Sequence, residues 1–179
     1  AGKTFTIFLL VTSWGTFASV IARITQFVIS GEIHQYFKNR RRMKAIQKLQ
    51  EHVILCGYGR NGQQAANILE AHGVPFLVIE KDEALIQKAA ADNASLLLLP
   101  GDGTDDDVLH QAGVEKAMAL ITTLPVDAQN VFIVLSARSL NPGMKIISRA
   151  SEASSVAKLY KAGANNVIMP DFIGGTHMA

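Results

Sequence analysis

The segment CGYGRNG, residues 56–62, constrains this chain more than any other, because of what frames it. HVILCG before it reads as a short buried strand, and QQAANILEAHG after it as a helix. FLVIEKD then reads as a second strand that ends in an acid, Glu80. Strand, glycine turn, helix, strand and an acid about 20 residues on make a dinucleotide-binding fingerprint. Each glycine has its own reason. Gly57 permits the tight turn, Gly59 lets backbone approach a pyrophosphate, and Gly62 lets the helix sit close to the strand. The helix N-terminus offers free N–H groups and the positive end of its dipole to phosphates. The plainer reading is a degenerate Rossmann unit that keeps the turn and binds nothing.

The alternation continues to residue 170. Strands are expected over HVILCG (52–57), FLVIEK (76–81), SLLLLPGD (95–102, ending in a turn), MALITT (118–123), KIISRA (145–150) and NNVIMP (165–170). Helices are expected over Asn61–His72, Glu83–Asp92, Asp105–Gln111 with Thr104 as N-cap, Val126–Ser139, and Glu152–Ala162 closed by Gly163. Several strands are apolar throughout, which implies a parallel sheet covered on both faces. The expected class is therefore α/β, a doubly wound parallel six-stranded Rossmann sheet.

The first thirty residues differ. From Thr4 to Ala22 there is no charged residue, and extending to Ser30 adds only Arg23. As a helix this stretch would run roughly 40 Å, enough to cross a bilayer core of about 30 Å. Lys38, Arg40, Arg41, Arg42, Lys44 and Lys48 follow it, while only Lys3 precedes it. The positive-inside bias then puts the C-terminal side in the cytoplasm, with the span in the cell (inner) membrane. The run is too long for a signal peptide, and the basic cluster stands on the wrong side of it. We expect one transmembrane helix over 1–30, a basic helical linker over 31–51, the Rossmann unit over 52–170, and the start of a further segment over 171–179. The lone cysteine, Cys56, lies inside the first strand, so no disulfide framework exists. A net charge of +2 makes no case for nucleic acid.

Glu80 ends the second strand, where a carboxylate can accept hydrogen bonds from the adenosine ribose. Such an acid favours NAD or ADP/ATP over a 2′-phosphorylated dinucleotide. Lys81 softens that preference. Arg60 stands in the glycine loop within reach of a phosphate. Asp102 and Thr104, in PGDGT, lie at the end of the third strand beside the crevice, and Thr122 and Thr123 end the fourth across the switch point. Five scattered histidines form no metal-ligand spacing, so no metal site is expected. No nucleophile–base arrangement is legible, and no segment supplies a substrate domain. The nucleotide reads as a signal, and the chain as a non-enzyme.

A membrane helix, a basic linker and a Rossmann unit with GYGRNG, GDGT and ISRASE resemble the RCK (Trk N-terminal) domain of prokaryotic potassium channels. Residues 52–170 resemble its N-terminal half, and AGKTFTIFLLVTSWGTFASVIARITQFV resembles a pore-lining inner helix. The resemblance implies a homotetrameric channel in the lipid membrane. Its cytoplasmic domains would pair into a gating ring, with NAD(H) or ADP/ATP as regulatory ligand and potassium as the transported ion. It implies that Gly57, Gly59, Arg60 and Gly62 hold phosphates, that Glu80 holds the ribose, and that Asp102 and Thr104 border the adenine. The filter motif TVGYG and the second lobe are absent from these residues. Some calcium-gated relatives carry acids after the fifth strand, where Arg149 and Ser151 stand here and only Glu152 remains. Two other readings stay open: a regulatory part of a potassium transporter or antiporter, and a membrane-tethered NAD-dependent oxidoreductase.

Overall fold

A computed structural model describes residues 2, 13–17, 19–21, 43–170 and 172. The chain divides into two units, Ala1–Arg41 and Arg42–Ala179. In the first, residues 13–17 and 19–21 are helical. The Thr16 and Ser19 hydroxyls donate back to the carbonyls of Ser13 and Gly15, at 2.9 and 2.8 Å. Two polar donors are thereby satisfied in a segment whose Trp14, Phe17, Val20 and Ile21 are exposed. The transmembrane helix expected over 1–30 falls mostly outside the described residues. Among the described residues, no helix is long and apolar enough to cross a membrane.

In the second unit strands and helices alternate. They are β1 (Val53–Cys56), α1 (Arg60–Ala71), β2 (Phe76–Glu80), α2 (Glu83–Asp92), β3 (Leu98–Pro100), α3 (Asp106–Gln111), β4 (Ala119–Thr122), α4 (Asp127–Leu140), β5 (Lys145–Arg149), α5 (Ala153–Ala162) and β6 (Asn166–Ile168). All strand pairs are parallel, in the order β3-β2-β1-β4-β5-β6. The order reverses between β1 and β4, so the crevice of a doubly wound sheet opens at the carboxyl ends of these two strands. In register, Cys56 stands opposite both Ile79 and Thr122.

Side-chain alternation divides the core. Ile54, Cys56, Leu77, Ile79, Leu99, Leu120 and Ile146 face one side, against Leu109 of α3, Ile133 and Val134 of α4 and Leu159 of α5. Leu55, Val78 and Leu98 face the other, against Ala66 of α1 and Ala89 of α2. The small residues on α1 and α2 let those helices lie close to the sheet. Residues 43–47 form a short helical stretch whose Ile46 is buried in the larger core, with Met43 and Leu49 packed around it. This end of the basic linker is thus part of the domain and not a solvated tether. The backbone then turns through Glu51, at a φ of 49° rarely taken by non-glycine residues, into β1.

Several boundaries differ from expectation for local reasons. β3 is three residues long and not eight. The Asn93 side chain accepts from the Ser95 amide and hydroxyl, which holds 93–95 in a turn and delays the strand. Thr104 is not the N-cap of α3; Asp105 is, accepting from the Asp107 amide. The Thr104 hydroxyl and amide are both taken by Asp102, at 2.7 and 3.0 Å. The unit is closed at its far edge by Arg138 of α4. Its guanidinium donates to the carbonyls of Gly163, Pro142 and Met144 and to the Asn165 side chain.

Candidate functional site

The carboxyl ends of β1, β2 and β3 and the loop after β4 enclose a cavity of about 300 Å³. The glycine turn forms one side. Glu80, Lys81 and Asp82 form the second, Gly101, Asp102 and Gly103 the third, and Thr123, Leu124, Pro125 and Gln129 the fourth. Cys56 and Ile79 form an apolar floor. A mostly apolar pocket with a few converging polar groups is the usual build of a small-molecule site.

The three glycines are required for different reasons. Gly57 has a φ of 94°, and a Cβ there would lie 2.9 Å from Leu124 Cδ2. A Cβ on Gly62 would lie 2.1 Å from the Gly57 carbonyl oxygen, so α1 can rest on the turn only because Gly62 has no side chain. Gly59 is different. Its φ is −68°, and a Cβ there would meet no atom of the described residues within 4 Å. Neither backbone conformation nor packing asks for glycine at this position, which is the N-cap of α1 and faces the cavity. No side chain caps that helix and no acid lies in its first turn, so its N-terminal N–H groups and dipole face an uncompensated site.

The turn is braced on both sides. The Glu80 carboxylate accepts the Tyr58 N–H at 2.6 Å through Oε2, and the Lys81 and Asp82 N–H groups at 2.8 and 2.9 Å through Oε1. From the other side, the Thr123 hydroxyl lies 3.1 and 3.2 Å from the Cys56 and Gly57 carbonyls. Behind Thr123, the buried Asn130 of α4 accepts from the Thr122 hydroxyl at 2.5 Å and from the Leu124 amide, and donates to the Leu124 and Arg149 carbonyls. The loop after β4 is therefore pinned from within the core.

At the cavity rim Lys81 Nζ and Asp102 Oδ2 form an ion pair at 3.0 Å, joining the ends of β2 and β3. Asp102 is held below the ordinary carboxylate range, chiefly by the Thr104 amide and hydroxyl, against burial and with help from Lys81. Burial, assisted by the Asp102 charge, pushes the Cys56 thiol up to about 12, so the floor offers no thiolate nucleophile at neutral pH.

Of the residues anticipated from sequence, Gly57, Gly59, Glu80 and Asp102 line this cavity. Gly62 supports it from below. Arg60 is the first residue of α1, exposed and outside the lining. Thr104 acts on Asp102 and does not line the cavity. Thr122 does not reach it either: it is fully buried with its hydroxyl on Asn130, and Thr123, one residue on, takes the facing position. Sequence reasoning missed Leu85, Leu124, Pro125, Gln129 and Asn130. The last two lie at i and i+1 on the first turns of α4, just after a strand end, which is where a crevice wall is built. Among the described residues no group of acids, histidines and cysteines could hold a metal ion.

Residues 53–170 match the family model described as the TrkA-N domain. Potassium channel protein 1 of Methanocaldococcus jannaschii is 39% identical over 178 residues, which is 99% of this chain and 54% of that protein. The chain thus spans about half the length of that relative. The TrkA-N domain of the Escherichia coli inner membrane protein ybaL superposes with a TM-score of 0.69 at 30% identity, covering 73% of this chain and 96% of that one. GsuK bound to ADP and the GsuK channel bound to NAD each superpose with a TM-score of 0.63 at 31% identity. They cover 72% of this chain and 32% and 22% of theirs. With two thirds of its residues matched and the glycine-turn cleft in place, the chain belongs to the TrkA-N family.

Proposed function

We propose that this chain is the nucleotide-sensing part of a potassium channel subunit, and that the cleft above β1 and β4 binds NAD(H) or ADP/ATP as a regulatory ligand. Gly59 carries the reading. The protein itself leaves room for a side chain there, so the demand for bare backbone is best met by a pyrophosphate lying against the turn. The ADP and NAD complexes of GsuK, whose domain shares this fold, support the same ligand class.

The match to the Methanocaldococcus jannaschii channel protein runs through the first fifty residues as well as the Rossmann unit. That extent favours a channel over an antiporter or a tethered oxidoreductase. In this reading residues 1–30 form a pore-lining span in the cell membrane. Residues 31–51 carry domain movements to it, and four copies assemble with their Rossmann units paired in a cytoplasmic ring. Phe132 and Leu135, exposed on one helix, α4, are apolar enough to serve such pairing. A ligand shifts a closed–open equilibrium only through its differential affinity for the two states, so nucleotide must bind one ring shape better than the other. Mass spectrometry of nucleotide released from the purified full chain tests the ligand. Recovery of NAD(H), ADP or ATP at near one per chain is expected, and a chain that neither carries nor takes up any of them overturns the reading.

A further inference from the structure

We infer that His52 is a proton-released latch: it ties the end of the basic linker to the segment after α3 at neutral pH, and protonation of its imidazole frees that end while the sheet stays folded. The latch does not depend on what the cleft binds; only its consequence for a pore rests on the channel reading.

His52 is the last residue before β1, and it is fully buried. Its Nε2 lies 2.9 Å from the carbonyl of Ala112. A carbonyl only accepts, so Nε2 carries the proton and Nδ1 keeps a lone pair. Nδ1 has no partner among the described residues. A second proton would therefore make a buried N–H with no acceptor among them, which is costly. Gly113, at a φ of 75°, packs on the same edge of the imidazole: a Cβ there would lie 3.4 Å from Cε1, the carbon between the two nitrogens. Burial lowers the pKa from the ordinary 6.5, partly offset by the Ala112 bond. The charged residues of the adjoining segments, Lys48 and Glu51 on the linker and His110, Glu115 and Lys116 beyond α3, are exposed. The neighbours of His52 in the sheet, Pro75 and Met118, carry no charge.

The two sides of the latch are unequally fixed. Segment 112–118 is anchored in the core by Ala112, Val114 and Ala117, and Asn141 at the end of α4 donates to the Val114 and Ala117 carbonyls at 2.9 and 3.1 Å. The linker end has less: Ile46 in the core with Met43 and Leu49 around it, and the Glu51 N–H on the Lys116 carbonyl at 3.0 Å. Glu51 holds that bond at a φ of 49°, a strained conformation for a non-glycine residue that release would relax. When His52 is charged, the linker is the side that yields. The released imidazole binds its proton at the ordinary value and the latched one only at lower pH. The released-to-latched ratio thus rises by up to about tenfold per unit below pH 6.5, until the latched imidazole itself titrates. In the channel reading, acid slackens the route by which domain movement reaches the pore.

Amide hydrogen exchange of the full chain from about pH 7.5 to about pH 5.5, corrected for intrinsic rates, tests this. The amides to follow are those of Lys48 and Leu49, bonded to the Ala45 and Ile46 carbonyls, and that of Glu51. Their protection should be lower than that of β2, because the junction opens with the sheet intact. It should also fall by about tenfold per unit below pH 6.5. His52→Gln, which keeps an N–H donor and does not titrate, should abolish the fall. His110→Gln and Glu51→Gln should retain it. Against burial, its own backbone amide and His110 hold Glu115 below the ordinary carboxylate range, outside this window. Protection that is independent of pH, or equal to that of β2 throughout, overturns the proposal. So does an unchanged fall in His52→Gln, or its loss in His110→Gln or Glu51→Gln. If His52→Gln does not fold, wild type and the other two variants decide by the same criteria.

Discussion

A Cβ placed on Gly62 would lie 2.1 Å from the carbonyl oxygen of Gly57, whereas one placed on Gly59, three residues earlier, would touch none of the described residues. Gly62 is thus a folding residue and Gly59 is not. The obstacle at Gly62 is backbone, which cannot rotate aside. Gly62→Ala should destabilise the domain by about 2–3 kcal/mol through overpacking of α1 on the turn. Urea denaturation checks this, and an unchanged midpoint would contradict the packing described.

Arg138 offers a second stability test. Its guanidinium gathers the carbonyls of Gly163, Pro142 and Met144, which lie after α5 and before β5, and has no carboxylate partner among the described residues. A fixed fork of donors is needed, and lysine has none. Both Arg138→Met and Arg138→Lys are expected to cost about 2–3 kcal/mol, because half-buried carbonyls lose their donors. A lysine variant as stable as wild type would show that charge alone suffices.

His52 sets a pH dependence. It is fully buried, and its Nε2 lies 2.9 Å from the Ala112 carbonyl, while Nδ1 has no partner among the described residues. Burial lowers its pKa from the ordinary 6.5, partly offset by that hydrogen bond. The folded protein therefore binds this proton less readily than the unfolded chain. Its contribution to stability is present above about pH 6.5 and is lost as pH falls through the lower folded value. Asp102 and Asp127, also lowered, act in the same sense but only below the ordinary carboxylate range. Denaturation midpoints should fall between pH 7 and pH 5 in wild type. The fall should be shallower in His52→Gln, which keeps an N–H donor and does not titrate. Equal slopes would remove His52 as the cause.

Asp127 caps a helix that is not its own. The N-cap residue of α5, Glu152, makes no side-chain cap. Instead Asp127, at the start of α4, accepts from the Ser151 and Glu152 amides at 2.8 and 3.0 Å. Burial works against its ionisation, but these bonds and those from the Ser155 and Ser151 hydroxyls outweigh it. Asp127→Ala should cost about 1–2 kcal/mol, as for loss of a cap. Amide exchange should rise first at 151–155, and uniform exchange across the domain would contradict a local role.

The sheet was legible because its strands are apolar runs between glycine turns, and Glu80 because it ends one such run. Gly57 and Gly62 were legible because a Rossmann turn asks for glycine at fixed spacing. What could not be read depends on tertiary direction. Thr122 and Thr123 are adjacent and chemically identical, and only the pleat at the end of β4 decides that the first faces Asn130 and the second the cleft. Thr104 and Asp105 are both good caps, and the choice falls to Asp105 because Asp102 already holds Thr104. Met43, Ile46 and Leu49 recur at three-residue spacing inside a basic stretch, a signal overshadowed by the charges around it. Arg138 and Asp127 act on segments about 25 residues away, and nothing in their neighbourhood in sequence marks them.

In the proposed function the turn at Gly59 is left bare for a nucleotide. Titration of Gly59→Val with ADP and with NADH, against wild type, tests it most directly. The substitution enters open space at an ordinary φ, so the fold should survive with its denaturation midpoint within about 1 kcal/mol of wild type, while the branched side chain occupies the volume of the pyrophosphate. Loss of nucleotide binding in a folded protein is expected. Unchanged affinity in the folded variant would contradict it.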